Sequence, residues 1–286
     1  MSSAPLTTLP VDVAAPVAIQ GEVHSFHHRA AGLLLPGSEV ACFDNFPRLA
    51  SHVGSEGGGL GLMAVENSVA GAILTNYLLL EEHDLTILGE TYLRISFDLM
   101  TTPHATIDGL QQVRSHPMAL AQCRRWFREH AAVNPVETFD TAGAAREVSE
   151  AGDESIAALA PRWCAEAYGL QVLAKAVEDN PNNWTRFVLV THAGSPERGD
   201  KTSVAFSLPH ATGSLAKVLD RIARAGASLT KIQSLPLVGS PWQYRFFCDF
   251  VHEECAAPTD LLNFIDAHTT DLIHLGTYAA GQHHEP

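Results

Sequence analysis

The chain is short of positive charge. Its 286 residues carry 18 Lys and Arg against 32 Asp and Glu, a formal charge of −14 with histidines neutral. That balance argues against nucleic acid or an anionic membrane surface as a partner. It leaves room for a small anion in a locally positive pocket. No apolar run approaches the ~20 residues needed to cross a bilayer, so no transmembrane helix is expected. The opening MSSAPLTTLPVDVAAP lacks a basic start and a long apolar stretch, so no secretory leader is expected. Cys42, Cys123, Cys164, Cys248 and Cys255 form no CxxC pair. This excludes zinc-ribbon and thioredoxin chemistry and fits a reducing, cytoplasmic setting. His24, His27 and His28 lie close together, but nothing nearby completes a four-ligand zinc site, so no metal is expected. Gly57 to Gly61 reads GGGLG without the Lys-Ser/Thr of a phosphate loop, and neither GxSxG nor HExxH occurs.

What is present is a globular chain. Apolar residues make up 46%, and the length implies two or three units. Up to about residue 190, strand and helix patterns alternate. Val17 to Gln20, Glu39 to Phe43 and Leu60 to Val65 read as strands. Ser25 to Leu34, Phe46 to Val53 and Gly71 to Glu82 read as helices, and Thr86 to Met100 is strand-rich. This β-α-β-α-β order predicts a mostly parallel sheet covered by helices. A second block follows: Leu110 to Arg114 is a strand or a short turn of helix, strands lie at Val136 to Phe139, Ser155 to Ala160 and Val172 to Val177, and helices are opened by Pro117, Asp140 or Thr141, and Pro161. Two α/β lobes predict a cleft between them. After the polar stretch HAGSPERGDK the pattern becomes βαββαβ: strands at Thr202 to Leu208, Ser228 to Leu237, Trp242 to Val251 and Asp271 to Tyr278, and helices at Gly213 to Ala225 and Pro258 to His268. That is the ferredoxin-like order, which leaves one sheet face to pair with a copy of itself.

Ligands of open α/β folds gather where strands end and helices begin. Four polar segments fit that description: Gln20 to His27, Val65 to Ser68, Arg114 to Pro117, and Asn182 to Phe187 entering a strand. One such loop is usually only a cap. Four in a two-lobed unit point to a small anion, because free N–H groups at helix starts favour carboxylates.

Taken in order, GEVHSFHHRAA, VENSVAG, SHPMALAQC and NWTRF resemble the prephenate dehydratase family, and LPHATGSLAKVLDRIARAGASLTKIQSLP resembles its ACT regulatory domain. The resemblance spans about residues 16–280. It implies a periplasmic-binding-protein-like α/β catalytic domain at 16–192, with lobes at about 16–93 plus 178–192 and about 94–177. A linker at 193–201 and an α+β ferredoxin-like ACT domain at 202–280 would follow. The implied reaction is decarboxylating dehydration of prephenate to phenylpyruvate in phenylalanine biosynthesis, without a cofactor. Arogenate dehydration, or non-catalytic binding of a small molecule, is the alternative. By resemblance Thr185 is central, its hydroxyl hydrogen-bonding to the departing oxygen. Arg186 either pairs with substrate charge or supports the loop, and Phe187 packs and holds Thr185. Ser25, Phe26, Asn67, Ser68, Ser115, His116 and Gln122 are implied substrate contacts, with Ser115 and Gln122 two turns apart on one face. Glu66 is either such a contact or a fixture of the lobe interface. Phenylalanine is the implied effector, at Gly213, Ser214, Leu215, Gln233, Ser234, Leu235 and Pro236, and the ACT sheet implies a homodimer or homotetramer. The chain departs from the family pattern in several places. Met118 stands where Gln is common. His24-Ser25-Phe26-His27 replaces G-A/T-Y/F-S, and Gln233-Ser234-Leu235-Pro236 replaces E-S-R-P, removing two charged groups from the effector region.

Overall fold

Asn45 and Pro47 show how local chemistry starts an element. The Asn45 side chain accepts a hydrogen bond from the Arg48 N–H at 3.0 Å, and Pro47 fits the first turn, so a helix runs Phe46–Val53 as the pattern predicts. Ser25 and Asp140 cap two further helices in the same way. The computed structural model describes residues 15–192, 194, 199–237, 239–252 and 258–285. Most of the expected linker at 193–201 lies outside the described residues.

In chain order, the first lobe contains β1 (Val17–Gln20), α1 (Phe26–Leu34), β2 (Val40–Phe43), α2 (Phe46–Val53), β3 (Leu60–Asn67), β4 (Gly71–Ala72), α3 (Leu74–Glu82) and β5 (Thr86–Arg94). The second holds β6 (Asp98–Thr101), β7 (Gln112–Ser115), α4 (Pro117–Ala121), α5 (Arg124–Glu129), β8 (Asn134–Glu137), α6 (Thr141–Ala151), β9 (Ile156–Ala160), α7 (Trp163–Tyr168) and β10 (Gln171–Ala174). The chain then returns to the first lobe as β11 (Trp184–Thr191). The C-terminal domain comprises β12 (Lys201–Ser207), α8 (Ser214–Arg224), β13 (Ser228–Pro236), β14 (Tyr244–Val251), α9 (Pro258–His268) and β15 (Thr270–Tyr278), and β16 (His283–His284) follows.

The first lobe is a mixed sheet in the order β16-β5-β11-β3-β1-β2, with β4 beside β3. β1 pairs parallel with β2 and β3, but β11 runs antiparallel between β3 and β5. This corrects the mostly parallel expectation: the strand returning from the second lobe enters the middle of the sheet. Buried on both faces, β11 reads as the near-continuous apolar run FVLV after Arg186. The second lobe has the order β10-β6-β9-β7-β8, with β6 antiparallel to β9 and β10.

Three local expectations change. The helix expected from Gly71 starts only at Leu74. β3 extends to Asn67, whose Oδ1 accepts the N–H groups of Val69 and Ala70 at 3.0 and 2.8 Å, folding the chain into a hairpin with β4. The helix opened by Pro117 stops at Gln122, and α5 restarts where the Asp179 carboxylate accepts the N–H groups of Arg124 and Arg125. The face of the C-terminal sheet expected to pair with a copy is covered. Val204, Phe206, Cys248 and Phe250 pack under α8 and α9, while Ala205, Phe247, Leu275 and Tyr278 join the core of the first lobe. Its strands run β13-β14-β12-β15, so β13 and β15 are the edges. The sequence pattern did not foresee β16, which adds to the edge of the first lobe beside Tyr92 and Leu93.

Candidate active site

A cavity of about 490 Å³ opens between the lobes. The first lobe supplies Gln20, Ser25, Phe26 and His27 around the start of α1, Asn67 to Ile73 in part, and Thr185 and Phe187 from β11. The second supplies Ile95, Phe97, His116, Met118, Ala119, Gln122, and Phe139 to Thr141. Alternation along β11 puts Thr185 and Phe187 on one face, with Arg186 on the other.

Thr185 is held by a relay of amides. The Asn67 Oδ1 is committed to the hairpin N–H groups, which fixes its amide the other way round. Its Nδ2 then donates to Asn183 Oδ1 at 2.7 Å and to Thr185 Oγ1 at 3.0 Å. Asn183 Nδ2 donates in turn to Gln122 Oε1 at 2.9 Å. Because Thr185 Oγ1 accepts from Asn67, its own O–H is left to donate, and the residue lines the cavity at 8% exposure.

Among the described residues, no Lys or Arg lines the cavity. Its imidazoles are biased towards the neutral form. Burial pulls His27 down to about 3. Burial also lowers His116, against the opposing pull of Glu137. Burial raises the Asp140 carboxyl, although the N–H groups of Gly143 and Ala142 oppose it. An anion therefore meets neutral donors and the start of α1, where no described group accepts the Phe26 and His27 N–H groups.

Four of the residues implied by resemblance turn away from the cavity. Arg186, 3% exposed, faces the C-terminal domain: its Nε donates to Glu90 at 2.6 Å, Nη1 to Asp249, and Nη2 to the Tyr278 hydroxyl at 2.8 Å. Burial alone would lower its pKa, but Asp249, Tyr278 and Glu90 raise it well above the usual value. This corrects its reading as a charge partner for substrate; strand alternation dictates the opposite face. Glu66 bonds Lys231 of the C-terminal domain at 2.9 Å, so it ties domains together rather than lobes. Ser68 Oγ donates to Asn182 O and accepts the Trp184 N–H, pinning the loop before β11. Ser115 is buried at the end of β7 and donates to Leu159 O at 2.6 Å; it shares no helical face with Gln122 because α4 starts after it. Ser25, Phe26, Asn67, His116, Gln122, Thr185 and Phe187 do meet at the cavity.

Gln20, His27 and Asn183 fell within the candidate segments without being singled out as contacts, and Asp140 and Thr141 were read only as a helix start. His27 packs edge-on against Phe187 with centroids 5.0 Å apart, and its Nε2 is buried without a hydrogen-bond partner among the described residues. The lobes are fastened beside the cavity. Glu22 receives two hydrogen bonds from Arg146, at 2.8 and 2.9 Å, and Trp163 Nε1 donates to His24 O at 2.6 Å.

The implied effector segments lie at one end of the C-terminal sheet. Leu235 pairs with Arg245, and Arg245 with Ser207, the last residue before the loop to α8. Gly213 adopts φ 83° at the start of α8, a left-handed conformation that favours glycine.

Residues 17–195 match the family model for prephenate dehydratase. The chain belongs to the prephenate dehydratase family. It is 39% identical over 187 residues to a bifunctional chorismate mutase/prephenate dehydratase of Neisseria gonorrhoeae, covering 65% of this chain and 52% of that one. It is 31% identical to a bifunctional N-acyl-homoserine lactone acylase/prephenate dehydratase of Komagataeibacter europaeus, covering 92% and 95%. The structure of a prephenate dehydratase from Arthrobacter aurescens in complex with L-Phe superposes with a TM-score of 0.80 at 29% identity, over 93% of this chain and 90% of that one. The chain spans little more than half the length of the bifunctional chorismate mutase relatives it matches, 52% and 60% in two of them. Among the described residues, no helix is long and apolar enough to cross a membrane.

Proposed function

We propose that this chain converts prephenate to phenylpyruvate, water and carbon dioxide. The observation that carries the reading is the Thr185 hydroxyl, fixed by Asn67 as a free donor inside an apolar cleft of a prephenate dehydratase family member. In the reaction the bond from the ring to its carboxylate breaks, and that electron pair completes the aromatic ring. The ring–hydroxyl bond breaks at the far end, and the departing hydroxide takes up one proton from the medium to become water. Thr185 is too weak an acid to lose its proton outright. Its O–H instead stabilises the charge growing on the leaving oxygen, which is worth most in a site that excludes water. Phe26, Phe97, Ile73 and Phe187 supply that environment. The start of α1 and the neutral donors Gln20, His116 and Gln122 suit the carboxylates and the keto oxygen.

Arogenate, with an ammonium in place of the keto group, is the second reading. Asp140 favours it, as the one carboxylate among the described lining residues. Phenylalanine is the proposed effector at Gly213 to Leu215 and Gln233 to Pro236, and a homodimer or homotetramer the proposed assembly. The free cysteines Cys42, Cys123, Cys164 and Cys248 suit a cytoplasmic enzyme. The test is to incubate pure protein with prephenate or arogenate, following phenylpyruvate absorbance in alkali and phenylalanine by chromatography. Phenylpyruvate from prephenate is expected. Phenylalanine from arogenate alone would select the second reading, and no turnover of either would overturn both.

A further inference from the structure

The strands that carry Asn67 and Thr185 are gripped from behind. Thr185 pairs with Asn67 across β11 and β3, and the next pair along is Arg186 with Glu66. The first pair faces the cleft; the second faces the C-terminal sheet. There Lys231 of β13 reaches Glu66 at 2.9 Å, and Asp249 of β14 takes Arg186. Tyr77 joins the two contacts: its hydroxyl lies 3.5 Å from Arg186 Nη1, and its ring lies 5.1 Å from Lys231 Nζ. Asp249 is itself fixed by the Ser203 hydroxyl at 2.6 Å. Lys201 holds Glu90, the other partner of Arg186, at 2.8 Å.

We propose that Lys231 and Asp249 are positioning residues for the Asn67–Thr185 pair, so that the C-terminal sheet sets the register in which the Thr185 hydroxyl is presented to substrate. The inference rests on the proposed dehydratase reading for its catalytic consequence, but its structural half can be tested without turnover. Each residue acts through one neighbour and one peptide link. Lys231 fixes Glu66, and with it Asn67; Asp249 fixes Arg186, and with it Thr185. β13 is also the strand that bears Gln233 to Pro236, so Lys231 and the implied effector segment share one strand.

Lys231→Met is the principal variant, because Glu66 retains access to solvent and its carboxylate is not stranded. Turnover is expected to fall about tenfold in kcat with KM little changed, the signature of a group misplaced in the transition state rather than a lost substrate contact. Lys231→Arg is expected to restore most of the rate. Asp249→Asn keeps the shape and removes the charge, and should lower kcat further. In both damaging variants, amide hydrogen exchange across Glu66–Asn67 and Thr185–Arg186 is expected to quicken while the second-lobe strand β9 stays protected, which reads positioning directly. Unchanged kcat and unchanged exchange in folded Lys231→Met and Asp249→Asn proteins would overturn the proposal. So would a loss of rate that follows melting temperature alone, with arginine no better than methionine at position 231. A wild-type protein inactive on prephenate and arogenate would instead sink the dehydratase reading, and the exchange comparison would still decide the positioning role.

Discussion

The two faces of β11 are built on opposite terms. On the cleft side, Thr185 and Phe187 stand among amides, imidazoles and apolar side chains, with hydrogen-bonding capacity unused. On the other side, Arg186 spends its guanidinium on Glu90, Asp249, Tyr77 and Tyr278, out of contact with water. Arg186 and Lys201 are balanced by Glu90 and Asp249, so the buried cluster carries no excess charge. The contrast separates two kinds of polar residue that look alike in a motif. A group that acts on a ligand keeps a donor free at a cavity wall. A group that holds the scaffold, as Arg186 does, has each of its nitrogens engaged inside the fold.

Breaking the cleft face should cost the most in rate. Thr185→Ala is expected to lower kcat by about 10²- to 10³-fold, the usual effect of losing one preorganised donor. Its melting temperature should stay within a few degrees of wild type, because only the hydrogen bond from Asn67 is lost. Thr185→Ser should keep most of the activity. Initial rates with thermal melts make the check; an active, folded Thr185→Ala protein would remove the role.

Breaking the opposite face should cost stability first. Arg186→Leu leaves buried Asp249 without its paired cation and Glu90 with Lys201 alone, a loss of about 3–5 kcal/mol for a buried pair with one partner removed. Arg186→Lys should rescue little, since an ammonium cannot span the partners that the planar fork reaches. Denaturant titration measures this. An Arg186→Leu protein with wild-type stability but no activity would reverse the assignment of the two faces.

The sequence carried one half of this contrast better than the other. Phe46–Val53 and Pro258–His268 could be read to the residue, because proline near each start and, for the first, an Asn cap mark the boundary chemically. Thr185 was legible as a motif residue. Arg186 was not, because period-two alternation separates neighbours onto opposite faces without saying which face meets a cleft. Nor could a strand covered on both sides announce that one cover is another domain. Glu66 and Ser115 sit in motifs beside ligand-facing neighbours, and their partners Lys231 and Leu159 lie far away in the chain. The hairpin at Asn67 defeated the helical reading of Gly71 to Ile73, because an Asx turn competes with helix formation through side-chain bonds that periodicity does not see. β16 is too short to carry a strand pattern at all.

A smaller effect is expected at the fastening between the lobes. Glu22 and Arg146 form a two-pronged pair, and Arg146 helps hold the Glu22 carboxyl below the usual range. Both side chains remain about a third exposed, so solvent screens the pair and its contribution to stability is about 1 kcal/mol or less. Glu22→Gln should therefore leave the melting temperature almost unchanged while loosening closure over the ligand. KM is expected to rise about two- to fivefold with a smaller change in kcat, as for a contact that acts in binding. A change in kcat alone would show that this contact belongs with the positioning network behind β11.

The effect that is smallest at neutral pH sharpens the contrast on acidification. His27 is a basic group on the cleft wall that burial holds down to about 3, whereas an unfolded chain takes up that proton near 6.5. Between those values the unfolded state binds more protons, so stability falls as pH falls, by at most about 1.4 kcal/mol per unit. Asp249, on the charged side, behaves differently. Burial would raise its carboxyl, but Arg186 and Lys201 outweigh this and hold it below its ordinary value. Its contribution is present above the unfolded value of about 3.9 and is lost only as pH falls through the lower folded value. The two faces thus titrate in different windows, His27 acting alone above about 4 and both acting below it. His27→Gln should flatten melting temperature against pH between about 6 and 4 and leave the steeper loss below about 4 in place. If that variant instead kept the upper limb, the acid sensitivity there would belong to groups other than His27.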